Sequence, residues 1–296
     1  MKKAFTIILL AAILGLAWYL FVKPYDYRVS FHVKTSPGTA HEEVLNFAGL
    51  NINLKNTGSV SFDRVSQTLK LKDSIIDLEW NMESVNDSLT KIIVDLTDQD
   101  HSLSNRFQVP FSGSAIEKIA KGMLIPFKQA FDQKLSGFKV TIEGPAESEE
   151  VFCACIPLQS TQQTKAYSMM ANNFIVDDFL DKNGMKLTGY PFLKINRWIL
   201  DKKAIEFDFC FPTEKRDSLP ESDEVQFKTI PKQKAIKAIY QGNYKSSDKA
   251  WYALYNYAKR NNLNVKLQPR EIFLNNPNGG GDDKSWKAEV YLPLNE

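Results

Sequence analysis

The fold of this chain is decided by the stretch from residue 225 to residue 293. It reads VQFKTIPKQKAIKAIYQGNY (225–244), SDKAWYALYNYAKRN (247–261), LNVKLQPREIFLNN (263–276) and, after a Gly-rich loop, KAEVYLP (287–293). Alternating apolar and polar residues predict a strand, a turn into a second strand and two later strands, whereas 247–261 predicts an aromatic helix. One acid, Glu271, stands where apolar residues are expected, and it marks the stretch as a candidate small-molecule pocket.

The segment just upstream repeats this layout more weakly. Three pairs of stretches correspond in order: VFCACIP (151–157) with VQFKTIP (225–231), FLDKNGMKLTGYPFLKI (179–195) with YAKRNNLNVKLQPREIF (257–273), and IEFDFCFP (205–212) with KAEVYLP (287–293). The sequence therefore predicts a domain at 149–296 made of two related strand-helix-strand-strand units, at 149–215 and 224–296. Two such units side by side share a core and leave a groove at their junction.

A family resemblance rests on four groups of residues in the second of these units. They are Pro231, Gln241-Gly242-Asn243-Tyr244, Pro269-Arg270-Glu271-Ile272-Phe273 and Ala288-Glu289-Val290-Tyr291-Leu292-Pro293. With these motifs, residues 149–296 resemble the GyrI-like domain, the effector-binding domain of many AraC-type and MerR-type bacterial transcription regulators. The G-x-Y turn, the E-x-aromatic strand and the terminal E-V-Y-L-P strand carry the resemblance.

The resemblance implies a groove between the two units that takes amphipathic, often cationic small molecules. It implies that Glu271 faces the ligand, with Glu289 on the terminal strand as a second candidate acid. Aromatic side chains are expected to stack on the ligand, and the candidates are Tyr244, Trp251, Tyr255, Phe273 and Trp286. Phe273 stands where the family often has tyrosine, so a phenolic hydroxyl is missing there.

A physical argument for Glu271 stands beside the resemblance. A carboxylate in an apolar aromatic pocket is costly unless it is paired, and a cationic ligand would supply the pair. On this interpretation, Glu271→Gln weakens the binding of lipophilic cations. The alternative is that Glu271 pairs with Arg270, Lys266 or solvent on a sheet rim, and that the aromatic side chains are ordinary core.

Residues 24–145 are predicted to form a separate domain. A strand at 25–33 and a short helix precede several short alternating stretches, which are typical of antiparallel strands, and residues 115–135 carry apolar side chains at helical spacing. The stretch FKVTIEG (138–144) is predicted to close this domain as a strand. The order of elements resembles the START-like (polyketide cyclase, SRPBCC) superfamily, in which a long C-terminal helix roofs a curved antiparallel sheet. That resemblance implies a ligand cavity between helix and sheet, and an ordinary filled core is the alternative.

The N-terminal segment, residues 1–23, is predicted to be an uncleaved membrane anchor. AFTIILLAAILGLAWYLFV (4–22) carries no charged residue, and at about 1.5 Å of rise per residue it nearly matches a hydrocarbon core of about 30 Å. Trp18 and Tyr19 near its far end are typical of a membrane interface. A cleaved signal peptide is the alternative, although no small-x-small site follows the apolar run. Lys2 and Lys3 favour an N-terminus inside the cell, so a single-pass protein with an extracytoplasmic body is expected.

The near balance of positive and negative residues argues against a nucleic-acid partner. Lys and Arg number 37 against 35 Asp and Glu, a formal net charge of +2, so no nucleic-acid partner is expected. Three cysteines are too few for a disulfide framework. Cys153, Cys155 and Cys210 are interpreted as core residues, with a Cys155–Cys210 or Cys153–Cys210 bridge as the alternative in an oxidising compartment. Neither a metal nor a cofactor is predicted, because no ligand spacing or nucleotide-binding loop is present in the sequence.

Three functions follow from these observations. The first is a membrane-anchored protein that binds or senses a small molecule, related to the effector-binding domains of transcription regulators. The second is a hydrolase of reactive small molecules, with Glu271 as the general base; the absence of tyrosine at Phe273 argues against it. The third is a scaffold whose pockets are filled and whose exposed aromatic residues bind a partner.

Overall fold

The computed structural model describes residues 2–199 and 204–295. The chain divides into two compact units, one running to Lys134 and the other beginning at Leu135. Each unit contains one antiparallel sheet together with helices, and an apolar helix stands at the N-terminus. The α+β class predicted from the sequence is confirmed.

The N-terminal helix α1 (Lys2–Ala17) continues into a π-helical turn, Trp18–Val22. Together the residues Lys3–Val22 form an apolar segment of 20 residues, and none of these residues is buried. Within the described part of the chain, this is the one helix long and apolar enough to cross a membrane. Signal sequences near an N-terminus share that property.

The first unit is built on a sheet of five strands. They are β1 (Tyr27–Val33), β2 (Leu54–Ser61), β3 (Arg64–Lys70), β4 (Ile75–Asn86) and β5 (Leu89–Asp98), and their spatial order is β1-β5-β4-β3-β2. Side chains along β3, β4 and β5 alternate between buried and partly exposed. This period of two makes one face of the sheet the apolar core.

Three α-helices follow α1 in the described part of the first unit: α2 (Pro37–Leu50), α3 (Ser102–Gln108) and α4 (Ala115–Leu135). The long helix α4 packs on the inner face of the sheet, where the ring of Phe127 lies 5.3 Å from Trp80 and 4.8 Å from Phe47 of α2. Phe131, one turn further along α4, lies 5.9 Å from Phe127. Aromatic side chains therefore fill the space between this helix and the sheet.

Where the structure describes it, the second unit contains eight strands and two α-helices. The strands are β6 (Phe138–Ser148), β7 (Val151–Thr161), β8 (Phe192–Ile199), β9 (Ala204–Pro212), β10 (Gln226–Ile230), β11 (Gln233–Gly242), β12 (Arg270–Phe273) and β13 (Lys287–Pro293). The helices are α5 (Lys165–Lys182), between β7 and β8, and α6 (Lys249–Arg260), between β11 and β12. The strand order is β10-β7-β9-β8-β12-β13-β11-β6.

One strand lies in a different sheet from the one predicted. The stretch FKVTIEG was expected to close the first domain, but its strand β6 pairs antiparallel with β11 from Phe138↔Gly242 to Ser148↔Gln233. That part of the prediction is wrong. Alternation identifies a strand, whereas the partner depends on which edge is exposed, and the sequence of β6 carries no signal for that.

A disulfide joins two neighbouring strands of the second sheet. Cys155 of β7 lies directly opposite Cys210 of β9, and the two are bonded. Cys153 is a buried free thiol whose Sγ lies 3.4 Å from that of Cys155, and burial raises its pKa to about 12. Of the alternatives left open by the sequence, the structure selects the Cys155–Cys210 bridge.

Candidate functional site

The candidate site lies on one face of the second sheet, and strand periodicity decides which side chains reach it. Glu271 and Phe273 are two residues apart on β12 and share this face. Phe209 and Phe211 of β9 also share a face, and Cys210 between them points to the opposite one. The disulfide and the aromatic side chains are thus on opposite sides of the sheet.

A cavity of about 550 Å³ opens on the aromatic side, between α5 and the sheet. Its walls include Met169 of α5, Phe209, Phe211, Tyr244, Phe273 and Trp286. All of these except Trp286 are buried. Three other lining residues, Met170, Leu187 and Tyr190, are each about half exposed. A buried aromatic interior with an apolar mouth is the usual character of a site for a small organic molecule.

Three of the predicted ligand residues come together in this cavity. The ring of Tyr244 lies 4.8 Å from Phe273 and 5.4 Å from Trp286, with the planes tilted in both pairs. These distances are those of favourable aromatic contacts. Tyr244, Phe273 and Trp286 therefore form one continuous wall, which we call the aromatic wall.

The glycine of the G-x-Y turn directs Tyr244 into the cavity. Gly242 ends β11 with φ +142°, and a Cβ there would lie 2.8 Å from Cβ of Phe138 and 3.0 Å from the carbonyl oxygen of Gly137. Only glycine fits this position. The chain then turns through Tyr244–Ser246, where the side chain of Asn243 accepts a hydrogen bond from the backbone nitrogen of Lys245.

The hydroxyl of Tyr244 is fully used within the protein. It donates to the carbonyl oxygen of Lys287 at 2.7 Å and accepts from the backbone nitrogen of Asn275 at 3.1 Å. Burial raises the pKa of Tyr244 to about 12. The hydroxyl is therefore a fixed structural group that positions the ring at the aromatic wall.

Glu271 lies behind the aromatic wall and is fully buried. It is absent from the described residues that line the cavity. Its Oε2 accepts a hydrogen bond from Ser247 Oγ at 2.6 Å and lies 3.7 Å from Nζ of Lys165. The acid predicted to face a cationic ligand thus has a cation of the protein itself beside it.

Lys165, the first residue of α5, is the functional candidate that sequence reasoning missed. Its side chain is fully buried, and its ammonium donates to Ser247 Oγ at 2.6 Å and to the carbonyl oxygen of Tyr244 at 2.9 Å. A lysine at the start of a polar-looking helix is ordinarily solvated, so its sequence context carries no signal of burial. Burial raises the pKa of Glu271, and the charge of Lys165 and the hydrogen bond from Ser247 oppose that rise.

A lysine beside a serine is also an arrangement used by nucleophilic enzymes. Here Ser247 is fully buried, and its hydroxyl is engaged with Lys165 and Glu271. No part of Ser247 is exposed to solvent in the described structure. The arrangement serves as a buried ion pair bridged by a serine.

The remaining predicted ligand residues lie outside the described lining of the cavity. Trp251 is fully buried in α6 with its ring 5.3 Å from Trp198, and Tyr255 is half-buried beside Lys259. Glu289 pairs in register with Ile272, which places it on the face opposite to Glu271. There it accepts hydrogen bonds from Lys237 at 2.8 Å and from Tyr291 at 2.9 Å.

The environment of Glu289 is that of a paired surface acid. Burial tends to raise its pKa, but the hydrogen bonds from Lys237 and Tyr291 outweigh this effect and leave the pKa below its ordinary value. Such a carboxylate stays ionised and keeps its partner. Glu289 therefore holds strands β11 and β13 together on the far side of the sheet.

Comparison with known families identifies this part of the chain. Residues 173–295 match the family model described as the GyrI-like small molecule binding domain. The second unit contains a GyrI-like domain. The cavity lies largely within the matched residues and reaches back along α5 to Ala166.

Several solved structures resemble the second half of the chain. The crystal structure of the EcmrR C-terminal domain is 18% identical, with a TM-score of 0.45, and the match covers 54% of this chain and 98% of that one. A putative bacterial transcription regulation protein from Staphylococcus aureus MU50 is 14% identical, with a TM-score of 0.35, over 53% of this chain and 99% of that one. SAV2435 bound to tetraphenylphosphonium is 12% identical, with a TM-score of 0.35, over 52% and 94%. At such low identities and scores, none of them bears on what this chain binds.

No curated protein matches the sequence.

The first unit has a cavity of its own, of about 410 Å³, lined by polar and charged residues that include Arg28, Asp63, Arg64 and Glu83. Its charges are of both signs and belong to exposed side chains. Compared with this exposed polar cavity, the buried aromatic cavity of the GyrI-like domain is better suited to an organic ligand.

Proposed function

We propose that this protein binds a small aromatic or amphipathic molecule in the cavity of its GyrI-like domain and is held at a membrane by its N-terminal helix. The observation that carries the proposal is the aromatic cavity of about 550 Å³ within the domain. Ligand pockets in proteins have volumes of about 300–1,000 Å³ and mostly apolar linings. The aromatic wall offers flat faces on one side, and Met169 and Met170 offer adaptable side chains on the other.

Equilibrium dialysis tests the binding proposal. The full chain is reconstituted in lipid nanodiscs and dialysed against 4-methylbiphenyl, a neutral two-ring probe, with empty nanodiscs to subtract partition into lipid. Phe273→Ala removes a ring of the aromatic wall and is expected to lower the affinity at least tenfold. Phe174→Ala is the matched control, because Phe174 of α5 is 71% exposed and lies outside the described lining. Equal binding by all three proteins, or by none above the empty discs, would contradict the proposal.

Membrane attachment is supported by the anchor and by the surface next to it. In α3 and the turn that follows, Leu103, Phe107 and Phe111 recur every four residues and are 52%, 66% and 77% exposed. That spacing puts the three side chains on one helical face, which we call the α3 apolar face. An exposed apolar face of this kind is typical of helices that lie in a membrane interface.

Contacts tie the α3 apolar face to the end of the anchor. Arg106 donates to the carbonyl oxygen of Leu20 at 3.0 Å and to the buried Asp26 at 2.6 Å. Asp26 also accepts hydrogen bonds from Ser102 and from the backbone nitrogen of Asp98. The α3 apolar face is therefore fixed where the chain would leave the bilayer, close to Trp18 and Tyr19.

The bridge between Cys155 and Cys210 supports an extracytoplasmic body. Disulfides persist in oxidising compartments and are rare in the cytosol, and Lys2 and Lys3 independently favour an N-terminus inside. Trapping thiols in intact cells and labelling the denatured, unreduced chain with a maleimide reagent is expected to modify one cysteine, Cys153. Modification of all three cysteines would contradict this orientation.

Two structural relationships belong to the same proposal. We assign the first unit to the START-like superfamily, on the support of a five-stranded antiparallel sheet with the long helix α4 across it. We also propose that the second unit arose by duplication, because β7-α5-β8-β9 and β11-α6-β12-β13 follow the same order and meet at the β8–β12 pair. In this arrangement β11, and not the VQFKTIP strand β10, corresponds to β7.

A further inference from the structure

We infer that the cavity of the GyrI-like domain selects uncharged ligands, because the acid behind its wall is already neutralised by Lys165. This inference rests on the proposed binding function and adds the charge of the ligand to it. The sequence predicted the opposite preference, for a cation that would pair with Glu271. The reasons lie in the pair itself, in the wall that separates it from the cavity and in the polar groups of the lining.

The charge of Glu271 has a counter-charge without a ligand, although its second carboxylate oxygen, Oε1, is buried without a hydrogen-bond partner in the described structure. Lys165 and Glu271 are both fully buried, with Nζ and Oε2 3.7 Å apart, and Ser247 Oγ bridges them with hydrogen bonds of 2.6 Å on each side. The ammonium also donates to the carbonyl oxygen of Tyr244. The carboxylate charge is thus compensated at a distance at which a buried pair of opposite charges attracts strongly.

The aromatic wall separates this pair from the cavity. Tyr244 accepts the hydrogen bond of Lys165 through its backbone and turns its ring to the cavity. Ala166, the neighbour of Lys165 on α5, also lines the cavity. A ligand in the cavity therefore touches Tyr244 and Ala166, while the charged atoms lie one layer deeper.

Two asparagine side chains of the lining are hydrogen-bonded within the protein. The side-chain amide of Asn243 donates to Asp283 at 2.7 Å, and Asn275 Oδ1 accepts from the backbone nitrogen of Lys287 at 2.7 Å. The charged residues among the described lining are Asp177 and Lys245, which are exposed and of opposite sign. The buried part of the lining thus presents no net charge to a ligand.

A cation entering this interior loses hydration and gains no counter-ion. An aromatic face attracts a cation only weakly, whereas burying an ion without a counter-ion removes its full hydration. Desolvation therefore exceeds the attraction of the rings. A neutral ring system avoids this cost and gains the same apolar burial.

Three two-ring probes of similar shape test the inference in the dialysis assay with the full chain in nanodiscs. They are 4-methylbiphenyl (neutral), N-methyl-4-phenylpyridinium (cation) and biphenyl-4-carboxylate (anion). The neutral probe is expected to bind at least tenfold more tightly than either ion, and Phe273→Ala is expected to remove the difference. A cation or an anion bound as tightly as the neutral probe overturns the inference. Failure of all three probes to bind above the Phe273→Ala background overturns the proposed binding function instead.

A second variant tests the role assigned to Lys165. Lys165→Met leaves Glu271 without its internal cation. At a pH high enough for Glu271 to be ionised, it is expected to raise the affinity for N-methyl-4-phenylpyridinium at least tenfold relative to the affinity for 4-methylbiphenyl. Adding Glu271→Gln is expected to abolish the gain. An unchanged affinity for the cation in folded Lys165→Met refutes the inference that this pair sets the charge preference. If the variant does not fold, the ranking of the three probes on the natural chain still decides.

Discussion

Replacing Lys165 by methionine is expected to destabilise the second unit strongly. Methionine keeps the length and the apolar stem of lysine, but it cannot donate the hydrogen bonds to Ser247 Oγ and to the carbonyl oxygen of Tyr244. Removing one partner of a buried ion pair costs about 3–5 kcal/mol. For a unit of about 150–250 residues, each kcal/mol lowers the melting temperature by about 2–4 °C, so a fall of at least about 6 °C is expected.

The loss of stability is expected to depend on pH. Burial raises the pKa of Glu271 above its ordinary value of 4.5, and removing the opposing charge of Lys165 raises it further. A carboxyl with a higher pKa in the folded than in the unfolded state stabilises the fold at low pH, and this contribution disappears as the pH rises through the folded pKa. Lys165→Met is therefore expected to lose stability more steeply than the natural chain as the pH rises above the ordinary pKa of a carboxyl.

Thermal unfolding of the full chain in detergent micelles, followed by tryptophan fluorescence across this pH range, measures both effects. Hydrogen exchange of peptides from α5 and β12 assigns the change to the second unit. Lys182→Met is the matched control on the same helix, because the pair of Lys182 with Asp178 is exposed and such pairs contribute at most about 1 kcal/mol. Adding Glu271→Gln to Lys165→Met is expected to remove the extra pH dependence. Equal melting temperatures for Lys165→Met and Lys182→Met would refute the assignment of a buried ion pair. The same holds if adding Glu271→Gln leaves the pH dependence of the melting temperature unchanged.

Three further changes test other parts of the molecule. Cys155→Ser with Cys210→Ser removes a bridge between residues separated by 55 positions. Chain entropy predicts that the variant loses about 4 kcal/mol of unfolding free energy, and that reductant lowers the stability of the natural chain to the same level in denaturant unfolding. A natural chain that unfolds identically with and without reductant would contradict this prediction. Asp26→Asn leaves the buried Arg106 without its counter-charge and is expected to cost the first unit about 3–5 kcal/mol, measured by the hydrogen exchange of β1 and α3; protection equal to that of the natural chain would speak against this pair. Phe107→Asp is expected to move the α3 apolar face away from lipid, so that brominated lipids no longer quench an environment-sensitive dye on a cysteine placed at Phe111. With the dye on a cysteine placed at Asp87, at the far end of the sheet, quenching is expected to be weak in either background; strong quenching there would contradict the membrane assignment.

Much of the architecture follows from local patterns that the chain displays directly. The helical spacing of apolar residues at 115–135 predicted α4, which runs Ala115–Leu135, and the aromatic stretch 247–261 predicted α6, which runs Lys249–Arg260. The G-x-Y turn and the E-x-aromatic strand identified the GyrI-like domain, and the match over residues 173–295 confirms that identification. These features depend on spacing within a short segment, which the sequence displays without reference to distant residues.

The candidate site was predicted in part. Tyr244, Phe273 and Trp286 meet in the aromatic wall. Tyr244 and Phe273 belong to the turn and the strand of the motif, whereas Trp286 directly precedes β13. Trp251 and Tyr255 were predicted from residue type alone, and their helix α6 directs them elsewhere. Glu289 was selected as a second acid, but the register of β12 against β13 puts it on the other face.

By itself, then, the sequence determined the apolar N-terminal helix, the α+β class, the GyrI-like domain and the presence of an acid among aromatic residues. Only the tertiary structure decided the sheet that β6 joins, the cysteines that bond and the cation that Glu271 faces. Each of these depends on a partner distant in the chain, and the identity of a residue does not specify that partner. The start of α5 buries Lys165 against Ser247 and Glu271, so the charge that a ligand meets in this cavity is set by packing between elements.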